Sequence, residues 1–301
     1  MTSLKQKQRL TDQEVNNHYC ASDMPPKEDS EFLPSQPPAN AHCRVIDFAT
    51  TDPALPEYKR YLAAVIDNAL TESECKELLR IAEASTADGK TWERAMINVG
   101  GGRQKISTDS RNCGRIILDS PEIAEKLQAR LLPFLRDLGV DRLENKPLIT
   151  GLAGRNCTYK LTRFNERLRF LKYVGGEYFR PHWDAHYTTP DRRERSYFTV
   201  HLYLNGDGEQ DLQELKRAID AEGPEWRSTN IDLEGSLLGG ATSFLPRYEE
   251  KERHVRVFPT TGSVLVFQQS ELLHSGDSVF RGTKFTLRTD VMYELVGSES
   301  V

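Results

Sequence analysis

The spacing of apolar positions changes along this chain, and the change divides it. Residues 61–85, YLAAVIDNALTESECKELLRIAEAS, open on a continuous apolar run and pass into a helical period, which predicts a strand followed by a helix. Thr71 and Glu74 have the spacing of a capping box, and Leu70 and Cys75 that of a hydrophobic staple. Leu78, Leu79 and Ala82 continue the stripe. A second helix is predicted from Ser120 as N-cap and Pro121 at the first helical position, with Ile123, Leu127, Leu131, Leu135 and Leu138 along one face. Gly139 is its stop, and Pro133 should kink it.

From about Leu148 the pattern turns to short runs rich in aromatic and β-branched residues, several with a period of two. These are RLRFLKYV, YFTVHLYLN, ATSFLP, HVRVFP, GSVLVFQ and KFTLRTDVMYEL. Many strands broken by Gly and Pro suggest a sandwich or jelly roll. Residues 206–238 interrupt them with a short amphipathic helix on Leu212, Leu215 and Ile219, an insertion long enough to act as a lid or binding loop. Residues 1–42, rich in Pro, Ser and acidic side chains, read as a disordered leader. The expected layout is this leader, a helical support region over 43–147, and a β-core over 148–297.

Composition narrows the classes. The chain has 301 residues and a net charge of −5, which gives no footprint for nucleic acid and no attraction to an anionic membrane surface. No apolar run is long enough to span a bilayer, and the N-terminus has no apolar segment of a secretory signal. Five scattered cysteines without a CxxC fit a reducing compartment, so an intracellular location, cytoplasmic or nuclear, is expected.

Candidate chemistry concentrates in YFRPHWDAHY, residues 178–187, where His182, Asp184 and His186 lie within five positions. A helical zincin pair, His182 with His186, needs a glutamate after the first histidine; Trp183 stands there, and Pro181 with Gly175 and Gly176 makes poor helix context. On a strand, His182 and Asp184 point to one face and can share a metal. His274, just after an apolar strand, supplies a third ligand of the right kind. Two histidines and a carboxylate suit Fe(II) with an open face. A polar loop without a metal is the bland alternative. Lys284 follows His274 by ten residues on a returning strand, and Arg288 shares its face. Thr199, His201 and Tyr203 alternate with apolar neighbours, which turns Thr199 and Tyr203 toward one pocket.

LKYVGGEYFRPHWD, YFTVHLYLN, GGATSFLP, PTTGSVLVF and LLHSGDSVFRGTK, in that order, resemble the prolyl 4-hydroxylase-like branch of the Fe(II)/2-oxoglutarate dioxygenases over about Asn165 to Leu295. VIDNALTESECKELLRIAE resembles that family's helical opening. The resemblance implies an α+β fold, a double-stranded β-helix (jelly roll) with N-terminal helices packed on one side. It implies Fe(II), 2-oxoglutarate and O2 as cofactors, admits ascorbate as reductant, and implies release of succinate and CO2. It matches His182, Asp184 and His274 to the iron ligands and Lys284 to the cation that pairs with the distal carboxylate of 2-oxoglutarate, with Arg288 as the other candidate clamp. Tyr173 and Tyr203 match tyrosines of the co-substrate pocket. The substrate would be a protein side chain, prolyl included, or a small molecule. The insertion at 206–238 departs from simple prolyl hydroxylases. Arg111 and Asn112, in the polar stretch 92–115, are candidate substrate contacts. A non-catalytic iron and 2-oxoglutarate sensor and a cupin-like metalloenzyme are the other readings.

Overall fold

The computed structural model describes residues 32–87, 91–98, 104–222, 232–250 and 252–298, and its compact unit begins at Leu33. The glycine run at 100–102 and residues 1–31 of the expected leader lie outside the described residues. The leader as read ends too late. Leu33 is buried, and the Pro34 carbonyl accepts a 2.8 Å hydrogen bond from Arg130 Nε, so the chain is packed well before residue 42.

Both predicted helices form. α1 (Glu72–Ala84) starts in a complete capping box: Thr71 N donates to Glu74 Oε2 at 2.8 Å and Glu74 N donates to Thr71 Oγ1 at 3.3 Å. Leu70 and Cys75, the expected staple, are both buried. α2 (Pro121–Asp137) begins at Ser120, whose hydroxyl accepts from Ile123 N, and runs through Pro133. It stops where Gly139 takes a φ of +65°, a conformation that favours glycine. Leu127, Leu131 and Leu135 are fully buried along its inner face. Arg130 on that face is also buried and forks onto Glu74 through two 2.8 Å bonds, tying α2 to the capping box of α1. α3 (Pro147–Thr150) is a single turn, and α4 (Leu212–Glu222) is the helix of the insertion.

The expected helical support region, 43–147, is not purely helical. Ala63–Asp67 and Gly114–Asp119 join the larger sheet and Arg111–Asn112 joins the smaller one. The reason is edge pairing: the apolar AAVID run lies antiparallel to Val264–Gln268, and GRIILD lies beside Arg167–Tyr173.

The described strands form antiparallel sheets of ten and five strands with two small two-stranded ribbons. In the larger, Glu194–Tyr203 sits between Val264–Gln268 and the long Lys284–Ser298 strand. In the smaller, Val255–Val257, Thr242–Phe244, His274–Gly276, Tyr178–His182 and Arg111–Asn112 lie side by side. From Arg167 the chain passes back and forth between the sheets, with Thr242–Phe244 and Val255–Val257 consecutive in the smaller one, and a common core joins them: Val65, Tyr203, Leu265 and Phe267 from one, Phe244, Val255 and Val257 from the other. This mixed architecture is consistent with a β-sandwich of jelly-roll type. No described helix is long and apolar enough to cross a membrane.

Candidate functional site

The register of the smaller sheet creates the site. His182 and His274 are direct partners across the Tyr178–His182 and His274–Gly276 pair, and their ring centroids are 4.4 Å apart. Asp184, two residues beyond the strand end, folds back onto the same point. One ligand atom from each of the three residues can be chosen so that all lie within 4.8 Å of one another. His182 Nδ1 faces the Arg180 carbonyl at 2.8 Å and His274 Nδ1 faces the Leu272 carbonyl at 3.0 Å. A carbonyl only accepts, so each Nδ1 carries the proton and each Nε2 presents a lone pair. The Nε2 atoms of His182 and His274 stand 3.7 Å from Asp184 Oδ1 and Oδ2 respectively.

Electrostatics suit this tautomer. Burial pushes both imidazoles below the usual histidine range, so they stay neutral. Burial by itself would push Asp184 up, but the Arg288 charge, the two histidines and the Thr199 hydroxyl hold it well below the usual carboxylate range. Thr199 Oγ1 donates to Asp184 Oδ2 at 2.6 Å, and Arg288 Nη1 lies 2.9 Å from Oδ1. Two neutral imidazole nitrogens and an ionised carboxylate, all oriented by partners of their own, form a donor set that fits a divalent metal such as Fe(II).

These groups line a cavity open to solvent, together with Tyr173, His201, Thr242, Lys284 and Arg288. Lys284 is in register with Tyr173 across the sheet, and its ammonium lies 5.1 Å from the Tyr173 ring centroid and 5.7 Å from that of Tyr203. It forms no ion pair with a described residue, and burial pulls its pKa down to about 8 against the opposing pull of Asp277. Arg288 differs: it bridges Asp184 and Asp290, whose other oxygen accepts from Arg169. Gly240 keeps Lys284 room. Its φ is +69°, and a Cβ there would stand 3.1 Å from Lys284 Cδ.

One sequence expectation places differently. Tyr203 lies beside the cavity and not on its lining: its ring packs in the core with Phe244 and Leu265, and its hydroxyl donates to Thr242 Oγ1 at 2.7 Å. His201, on the same strand face, lines the cavity instead, with a buried Nε2 that has no partner. His186 turns away from the His182–Asp184–His274 cluster to the Ser196 carbonyl and the Tyr197 ring, and Trp183 is half-exposed against Tyr248. Phe179, Phe267, Ser275 and Gly276 also line the cavity and had not been singled out. Phe179 carries no period-two signal: three positions from His182 on a regular strand it would face the other way, and a register shift between the two lets the rings stack. Ser275 and Gly276 follow His274 directly, but their strand is only three residues long and shows no period.

No family model and no curated protein matches this chain. Solved structures do. A viral collagen prolyl hydroxylase of Paramecium bursaria Chlorella virus-1, in a 2-oxoglutarate complex, aligns at a TM-score of 0.44 and 17% identity over 77% of this chain and 96% of that one. A Pseudomonas putida prolyl-4-hydroxylase aligns at 0.45 and 19% identity over 78% and 95%. A Burkholderia pseudomallei oxidoreductase of the 2-oxoglutarate–Fe(II) oxygenase family aligns at 0.36 and 12% over 78% and 86%.

Proposed function

We propose that this chain is an Fe(II)- and 2-oxoglutarate-dependent dioxygenase with a double-stranded β-helix core, hydroxylating a C–H bond of a protein side chain, prolyl included, or of a small molecule. The observation that carries the reading is one cavity holding both the His182–Asp184–His274 cluster and the buried ammonium of Lys284, which has no ion-pair partner among the described residues. The cluster would hold Fe(II) on one side and leave the cavity side open. Lys284 has the charge and the isolation to receive the distal carboxylate of 2-oxoglutarate. Bound iron would supply the oxidation, coupled to conversion of 2-oxoglutarate and O2 to succinate and CO2.

The chain's own residues position the reactants. Thr199 and Arg288 hold the Asp184 carboxylate in place. The two backbone carbonyls fix the histidine tautomers. Tyr173 walls the space beside Lys284, and the aromatic surroundings keep water from the charged end. A cupin-like enzyme without 2-oxoglutarate gives Lys284 no anion to meet, so that reading leaves a buried charge unexplained. The test is succinate formation from 2-oxoglutarate in air and under anaerobic conditions, with purified protein and added Fe(II), against His182→Ala. Oxygen-dependent succinate from the wild type alone supports the assignment. Equal succinate from the variant would remove it.

A further inference from the structure

We infer that the organic substrate of this cavity carries a carboxylate, and that Arg111 binds it; this rests on the dioxygenase reading above. Arg111 sits on the two-residue edge strand Arg111–Asn112, in register with Phe179. It is 8% exposed and lines the cavity. Its guanidinium lies over the Phe179 ring at 4.5 Å, and that ring stacks on His182 with centroids 3.5 Å apart. A single aromatic ring therefore joins this cation to a metal ligand.

Arg111 lacks what a buried guanidinium needs. Its Nε is buried with no hydrogen-bond partner, and the side chain forms no ion pair with a described residue. A guanidinium largely withdrawn from water with no anionic partner among the described residues is costly, so a partner from outside the chain resolves it. The groups already in the cavity do not supply it. Asp184 is engaged by Arg288 and Thr199, and in the proposed reaction by the metal. The two carboxylates of 2-oxoglutarate are taken by the metal and Lys284. Arg111 remains as a planar fork of donors whose best complement is a further carboxylate, on the same side of the cavity as the iron ligand His182. That carboxylate belongs to the substrate, either as the α-carboxylate of an amino acid or as an acidic side chain in a peptide.

The test uses the full chain loaded with Zn(II), which blocks turnover, and saturating 2-oxoglutarate. N-acetyl amino acids are titrated calorimetrically, each as free acid and as amide. N-acetylaspartate and N-acetylglutamate amides are set against their Asn and Gln counterparts, to separate a side-chain from an α-carboxylate. At least one carboxylate should bind about tenfold or more tightly than its neutral counterpart, as a charge-assisted pair predicts. That ratio should fall to within about twofold in Arg111→Gln and be partly kept in Arg111→Lys. Equal binding of acid and neutral forms by the wild type overturns the proposal. So does a ratio that survives Arg111→Gln, or no binding by any member while 2-oxoglutarate itself binds. The wild-type comparison and Arg111→Lys decide the matter even if Arg111→Gln does not fold. Failure of the wild type to bind 2-oxoglutarate is a separate result: it removes the dioxygenase reading, and the carboxylate assignment falls with it.

Discussion

Lys284 is a buried cation whose charge depends on pH near neutrality. Burial lowers its pKa to about 8, so below that value it is an ammonium and above it an amine. A carboxylate binds the ammonium form. Affinity for 2-oxoglutarate should therefore be flat below about pH 7 and weaken as pH rises through 8, by up to about tenfold per unit, the limit for loss of one required proton. Replacing Lys284 by Met should weaken binding by about 10- to 100-fold, the worth of a charge-assisted hydrogen bond, and should abolish the pH dependence above 8. Calorimetric titration from pH 6.5 to 9.5 reads both effects, and an unchanged slope in the variant would assign the proton elsewhere. At Asp184, substitution by Ala removes the one carboxylate of the metal cluster and leaves Arg288 facing two imidazoles. Fe(II) binding should drop at least about tenfold, and coupled succinate formation should vanish. At this scale the sequence was most legible. The sequence placed His182 and Asp184 on one strand face; the strand ends at His182, and Asp184 meets His182 and His274 from the segment just beyond it. It was less legible where polar residues alternate equally well. The period-two argument chose Thr199 and Tyr203, yet Thr199 and His201 line the cavity, because the Tyr203 ring is long enough to reach past it into the core.

Elements were legible where they are long enough to show a period. Thr71, Glu74, Ser120, Pro121 and Gly139 mark the ends of α1 and α2 through local hydrogen bonds, so residues three apart sufficed to read them. The strands Arg111–Asn112 and His274–Gly276 have two and three residues, exist only through partners remote in sequence, and show no period. The pairing of Arg130 with Glu74 was likewise invisible, since it joins helices 56 positions apart. That pair makes a stability prediction. Thr71→Ala removes one cap bond and should cost about 1 kcal/mol. Glu74→Ala removes the other half of the box and also strands the buried Arg130 guanidinium, so it should cost about 3–5 kcal/mol. Urea denaturation of both variants measures the difference. Equal costs would mean that the ion pair adds nothing beyond the cap.

Across the whole molecule, the site is assembled from sequence-distant parts, and its ligands should therefore stabilise the fold as a unit. His182 ends one strand and Asp184 follows it, His274 and Lys284 come from near the C-terminal end, and Thr199 comes from the strand between. A ligand that touches all of them binds the folded chain and not the unfolded one, and stabilises it by mass action. At a hundredfold excess over Kd, 2-oxoglutarate should add about 2.7 kcal/mol. For a chain of this size that is a rise of about 4 °C in melting temperature. The rise has a stated order. Zn(II) alone should raise the melting temperature, because it holds two sheet strands and the Asp184 segment together. 2-Oxoglutarate should add its own increment only when the metal is present, since one end of it needs the metal and the other Lys284. In His274→Ala the metal increment should be lost and the 2-oxoglutarate increment with it, while Lys284→Met should keep the first and lose most of the second. A 2-oxoglutarate increment in metal-free protein as large as in the metal-loaded form would mean that it binds by charge alone, at Lys284 and Arg111, and would dissolve the link between the metal cluster and the co-substrate. Four melting curves per variant distinguish these outcomes without any knowledge of the substrate.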